Sequence, residues 1–365
     1  MKRTPLYERH RELGAKTVAF GGWEMPVQYS GIIDEHHATR TAAGLFDISH
    51  MGRIRVQGPD ALPFLQQLTT QDVATIAPGM ANYALLCYPH GGIVDDIFIY
   101  HLPDHYLVVV NAANRDKDWQ WFQQHRAGFA VELEDVSDQT AMLALQGPRA
   151  EAILAPVADV DVGALPFHGV VEGHLFEQTP ALIARTGYTG EDGFELFFPA
   201  ADARRVWDGL LEAGRDHGLK PVGLGARDSL RFEARLALYG HEIDETINPY
   251  EAGLGWVVKL DKGPFIGRDA LARIKAEGPQ RKLVGLELIE RGIARQGYPV
   301  TTLEGEPIGV VTSGMPAPTL GKNLALALVR ADQATLGAQL QVQVRGKPVR
   351  AQIVKTPFYR PRYKK

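Results

Sequence analysis

One cysteine in 365 residues, Cys87, excludes an intrachain disulfide and any zinc or iron–sulfur site built on several cysteines. A reducing compartment suits such a chain. The N-terminal stretch MKRTPLYERHRELGAK lacks the apolar core of a signal peptide, and no run approaches the length that spans a bilayer. No membrane partner is expected, and the protein reads as cytoplasmic. Charge of one sign is also scarce: 39 Lys+Arg against 43 Asp+Glu leave a formal charge of −4. That argues against nucleic acid as the main partner, because neutralising phosphates needs a clustered basic surface. The final YRPRYKK is the local exception. No Gly-x-Gly-x-x-Gly follows a strand and no Walker loop occurs, so no nucleotide is expected. No Gly-x-Ser-x-Gly elbow is present either. His36 and His37 would project from a helix about 100° apart and seldom share an ion without further ligands, so no metal is expected. Cys87 reads as a plain buried thiol.

What is present is an ordinary globular composition, 45% hydrophobic and 22% charged, on a chain too long for one core; two or three domains follow. Residues 91–100, GGIVDDIFIY, set two acids side by side in a strand. Strand alternation places Ile93, Asp95, Ile97 and Ile99 on one face and Val94, Asp96, Phe98 and Tyr100 on the other. Either both acids sit at the wet beginning of the strand after the Gly91-Gly92 turn, or one lines a pocket, where an acid in apolar surroundings needs a partner or a task.

The chain also echoes itself. VQGPDALPFL at 56–65 is matched by LQGPRAEAIL at 145–154, and DHYLVVVNAANRDKDWQW from Asp104 by DGFELFFPAADARRVWDG from Asp192. The near-constant offset suggests two duplicated strand–helix–strand–strand–helix units, each an antiparallel sheet with helices on one face. Counted along the chain, Tyr100 then corresponds to Tyr188, Glu195 to Leu107, and Asp96 to Ala184. Each copy would contribute an acid that the other lacks, as an asymmetric ligand between related halves requires. Residues 223–240 read as a helix stopped by Gly240, packing through Leu230, Ala234, Ala237 and Leu238, with Arg227 and Arg231 on another face. Alone, Arg227 reads as a solvated residue near Asp228. From Arg281 the texture changes to short alternating strands (KLVGLELI, PIGVVTSG, LALALV, QLQVQV), a small β-barrel or sandwich. The fold class is α+β: two related sheet–helix subdomains within 1–275 and a C-terminal β-barrel over 281–365.

Isolated carboxylates, tyrosines and one arginine in apolar frames suit a flat heterocycle with polar edges. A glutamate accepts two parallel hydrogen bonds from an amino-pyrimidinone edge, apolar faces sandwich the ring, and an arginine holds a carboxylate. Otherwise they pair with one another in a core.

Over essentially its whole length the chain resembles the glycine cleavage system T-protein (aminomethyltransferase) family. The resemblance rests on ordered blocks that include GGWEMPVQY, GLFDISHMG, GGIVDDIFIY, VVVNAAN, RTGYTGEDGFEL, GLGARDSLRFEA, LYGHEIDETINPYEAGLGWVVKL, TSGMPAPTLGKNLALALV and KTPFYRP. It implies three domains around a central folate cavity, and transfer of an aminomethyl group from the lipoyl arm of the H-protein to tetrahydrofolate. Ammonia and methylenetetrahydrofolate would be the products, without metal or nucleotide. It assigns the catalytic aspartate to Asp96, the pterin-binding glutamate to Glu195 and the arginine near the glutamyl tail to Arg227. Met51, Tyr83, Tyr100, Val110, Tyr188 and Tyr363 fall at folate-pocket positions. Pro316 and Ala317 in SGMPAPTLG replace a serine-containing stretch common in relatives, and His241 stands where glutamine is expected. On the same scaffold, a folate-dependent demethylase or a non-enzymatic folate-binding protein of iron–sulfur cluster assembly are the competing readings.

Overall fold

In the computed structural model, which describes residues 1–364, both copies of the echoed Gly-Pro segment fold alike; Lys365, the end of the basic tail, lies outside the described residues. Strand Gly52–Gln57 turns into helix Ala61–Leu68, and strand Thr140–Gln146 into helix Ala150–Leu154. Glycine is required at both turns. Gly58 and Gly147 have φ of +109° and +128°, and a Cβ on either would stand 2.6 Å from the carbonyl oxygen of Ala130 or Ala42.

The duplication carries through to the sheets. The first runs Met80–Cys87, Ile93–His101, Tyr106–Val110, Gly52–Gln57, Glu132–Asp135. The second repeats that order as Val170–Leu175, Thr179–Ala184, Gly193–Pro199, Thr140–Gln146, then continues to Ala43–Asp47 and Leu219–Val222. Its last pair is parallel, so this sheet is mixed where an antiparallel one was expected. Helices cover the outer faces: Phe64, Leu65 and Phe122 pack on Ile54, Ile97 and Ile99, while Trp207, Leu210 and Ile153 pack on Leu143, Leu145 and Leu196. The inner faces meet through Tyr100, Leu107, Val109, Met142, Ala144 and Phe197. Burying each large apolar side chain contributes about 1.5–3 kcal/mol, which makes this double layer a rigid frame.

One pairing inferred from the sequence is corrected. Tyr100 pairs with Leu107 in the first sheet, and Ala184 pairs with Glu195 in the second. Glu195 therefore does correspond to Leu107, but Ala184 is the counterpart of Tyr100 and not of Asp96. Tyr188 lies in the loop 185–192, which is longer than the matching loop 102–105, so counting along the chain loses register there.

The helix expected over 223–240 spans only Leu224–Glu233. Arg235 adopts φ +57°, which ends the helical path, and residues 235–239 become irregular wall. Ala237 and Leu238, assigned to the packing stripe, lie on that wall. From Arg281 six strands close a barrel in the order Arg281–Leu288, Lys322–Arg330, Pro307–Ala317, Pro299–Thr301, Gln339–Val344, Lys347–Val354. The expected strands are all present; Pro299–Thr301 and Lys347–Val354 are additional.

Beyond the barrel the chain returns to the sheets. Tyr359 donates from its hydroxyl to Glu191 (2.6 Å), and the Arg40 guanidinium lies 3.9 Å over its ring. Arg40 also reaches Glu191 and Glu233, each at 3.1 Å. This buried cluster anchors the tail. Lys364 is engaged with Glu151 at 3.1 Å. No helix among the described residues is long and apolar enough to cross a membrane.

Candidate functional site

The inner faces of the two sheets, the 235–256 segment and the returning tail enclose a cavity of about 510 Å³, within the range of small-molecule sites. Asp96, Met51, Tyr83, Tyr100, Tyr188, Glu195, Arg227 and Tyr363 all line it. Val110 does not. Alternation along Tyr106–Val110 sends Val110 into the helix-side core with Val108, and Val109 presents its side chain to the cavity instead.

The two acids of the opening motif part company. Asp95 is fully buried and accepts from the Asn111 backbone N–H (3.0 Å), the Asn111 amide (2.9 Å) and the Asn114 amide (2.6 Å). Asp96 opens into the cavity and accepts from the Asn111 amide (2.6 Å) and the Tyr83 hydroxyl (3.1 Å). The reading with both acids wet is thereby set aside. A register shift at Leu86/Cys87 also moves Val94 from the expected Asp96 face into the helix-side core with Ile97 and Ile99. Burial, then the adjacent Asp95 charge, raises the Asp96 carboxyl to about 7. Such a group both takes and returns a proton near neutrality.

Beside Asp95 lies a third acid, Asp118, both of whose oxygens are buried with no hydrogen-bond partner among the described residues. Burial, then the Asp95 charge, holds its carboxyl well above the usual range. A raised carboxyl binds its proton more tightly folded than unfolded. Its contribution to stability is therefore present below the unfolded value near 4 and is lost as pH rises toward the folded one. Asp118→Asn, which keeps a donor without needing that proton, is expected to match the parent at pH 5 and exceed it by roughly 1–3 kcal/mol at pH 8 in urea unfolding. Equal stability differences at both pH values would contradict a raised Asp118 carboxyl.

At the other end of the cavity, Glu195 accepts from Tyr100 (3.0 Å) and from Thr186, both at Oε2, which leaves Oε1 without a donor among the described residues. Arg227, read from the helix pattern as solvated, instead borders the cavity with its guanidinium 4.6 Å over the Tyr188 ring and within the field of Glu195. Burial lowers its affinity for a proton. Tyr188 is fixed by its hydroxyl donating to the Ala237 carbonyl. Tyr363 stacks on Phe167 at 4.5 Å, and burial pushes its phenol up to about 12. His50, buried beside Arg227, is driven down to about 3 and is neutral.

Trp256 marks the mouth. It is 59% exposed and stacks on Tyr83 with centroids 5.9 Å apart. Trp256, Tyr83 and Asp96 thus lead from the rim to the catalytic candidate. Sequence reading missed Asn111, His50, His168, Arg235 and Trp256 as cavity residues. Asn111 stood in the middle of the VVVNAAN block, directly after its strand, which was the one available signal. Cys87 is buried and free, and burial raises its thiol. His36 is held by Ser229 and Thr319, each at 2.7 Å.

Residues 6–262 match a family described as the GCVT N-terminal domain, and residues 281–360 one described as the glycine cleavage T-protein C-terminal barrel domain. An aminomethyltransferase of Herpetosiphon aurantiacus is 62% identical over 100% of both chains. One of Bacillus subtilis is 52% identical over 99% of each. The crystal structure of the glycine cleavage system aminomethyltransferase T from Bartonella henselae superposes with a TM-score of 0.94 at 38% identity, covering 100% of this chain and 99% of that one.

Proposed function

Because the chain belongs to the glycine cleavage T-protein family of aminomethyltransferases, we propose that its cavity binds tetrahydrofolate as acceptor of an aminomethyl group carried on the lipoyl arm of the H-protein. Its activity is that of the family, transfer of a one-carbon unit in glycine cleavage. The observation that carries the folate reading is the opposition of an unfilled Glu195 oxygen and the Asp96 carboxylate along one apolar cavity. Glu195 matches the 2-amino and N3–H donors of a pterin, and Phe98, Val109 and Met142 supply apolar walls.

In the transfer, the carbon exchanges its bonds to sulfur and to the amino nitrogen for two bonds to folate nitrogens. Two folate N–H protons leave, one completing ammonia and one the lipoyl thiol. Asp96 takes a proton from the attacking nitrogen and returns it to the departing amine. Asn111 and Tyr83 hold its carboxylate in place, and the low-dielectric walls strengthen its hydrogen bond to the folate amine.

Arg227 borders the same cavity as Glu195, which favours the pterin 4-oxo oxygen as its partner over the glutamyl tail that the resemblance assigns it. Arg227→Ala is therefore expected to weaken a tail-free ligand, 6-methyltetrahydropterin, by about tenfold or more, measured by calorimetry. A loss confined to ligands that carry the glutamate would return Arg227 to the tail. The whole reading is tested by incubating the protein with aminomethylated H-protein and tetrahydrofolate and following ammonia. Ammonia release that requires both is expected; none, with folate still bound, would overturn it.

A further inference from the structure

Among the described residues, Arg235 is the one cavity-lining arginine to which neither the transfer nor pterin binding assigns a role. Its backbone sits at φ +57°, a conformation that glycine adopts freely and a branched or long side chain adopts at a cost. Its guanidinium lies flat against Gly253, where a Cβ would come within 2.5 Å of Nη2. Among the described residues its Nε is buried without a partner, and its one hydrogen bond, from Nη2 to the Ala252 carbonyl, is long at 3.5 Å. Among the described residues no carboxylate pairs with it; the nearest acid acting on it, Glu242, is already held by Arg231 at 2.7 Å and by Thr312 at 2.9 Å. Arginine donors in a half-buried site are rarely left so poorly matched.

Its position gives the missing partner a chemistry. Arg235 shares its stretch of wall with Leu254 and Trp256, and Trp256 is the exposed rim. Glu195 is 9% exposed and closed in by Tyr100 and Thr186. A folate whose pterin reaches Glu195 and whose reacting nitrogens reach Asp96 must direct its benzoyl-glutamate toward that rim. We infer that Arg235 is a subsite for the glutamyl carboxylates of the folate tail, its planar fork receiving one of them at the mouth of the cavity. The inference rests on the folate reading above and adds the residue that selects tailed over tail-free ligands.

The test is calorimetric titration of the full chain with 6-methyltetrahydropterin, tetrahydrofolate and its triglutamate, for the parent, Arg235→Gly and Arg235→Lys. Glycine suits the backbone at this position, so Arg235→Gly is expected to melt no lower than the parent. It should bind tetrahydrofolate and the triglutamate roughly tenfold or more weakly while leaving 6-methyltetrahydropterin unchanged. Arg235→Lys, which keeps the charge without the fork, should fall between. An unchanged preference for tailed ligands in Arg235→Gly would overturn the subsite. So would a loss seen only in turnover with aminomethylated H-protein, which would make Arg235 a protein-docking residue. Failure of the parent to bind any of the three ligands would instead defeat the folate reading itself.

Discussion

Asparagine at position 96 is expected to lower turnover by about a hundredfold or more while leaving tetrahydrofolate affinity within roughly tenfold. The amide is nearly isosteric and can still accept from Tyr83 or Asn111, so the cavity keeps its shape. What disappears is the ability to take a proton from the attacking folate nitrogen. Ammonia release under saturating substrates, set beside calorimetric binding, separates the two effects. Parallel losses in both would make Asp96 a binding group and remove the proposed base. The pH profile offers a second check. With the carboxyl raised to about 7, kcat/KM in the parent should climb through roughly neutral pH as Asp96 ionises. Asp96→Asn should lack that limb. Stability runs the other way: the raised carboxyl contributes most below the unfolded value near 4 and loses that contribution as pH approaches 7, a slope that the amide flattens.

Glutamine in place of Glu195 should produce the opposite signature. Its amide oxygen can accept one bond, but its NH2 would face the donors of the pterin edge, so one good charge-assisted contact becomes a clash of donors. Affinity for tetrahydrofolate is expected to fall about a hundredfold or more, with turnover at saturation within a few-fold of the parent. Glutamine also spares Tyr100 and Thr186 an orphaned hydroxyl, which alanine would create, so a folding defect is less of a confounder. Unchanged affinity with a collapsed kcat would move Glu195 from recognition into the chemistry and would require the ligand to bind in another orientation.

The two carboxylates illustrate how far the chain can be read directly. The period of two across Asp95 and Asp96 already required that the pair split between faces, and the family's blocks selected Asp96 as the acid in the pocket. Which acid was wholly buried was not legible, because that depends on Asn111 and Asn114, brought against Asp95 from beyond the next strand. Asp118 shows the same limit more sharply. In sequence it is one polar residue of a charged helix, and only burial beside Asp95 raises its carboxyl. Val110 erred by one residue on a strand, where one residue is a change of face. Tyr188 erred because a longer loop breaks the count between the copies.

By itself, the sequence determined the elements: the alternating strands, the two Gly-Pro turns that only glycine can make, the repeat, the change to a barrel at Arg281 and the family to which these blocks belong. These are local properties, fixed by backbone sterics and by the period of apolar side chains. Tertiary structure alone decided that Asp96, Glu195, Arg227 and Tyr363, spread over 268 positions from 96 to 363, border one cavity. It also decided that Arg227 faces that cavity rather than solvent, and that the helix stops before Arg235, which lines the same cavity. The reason is physical: a side chain's charge state and partners are set by what is packed around it, and those neighbours come from segments that only the folded core brings together.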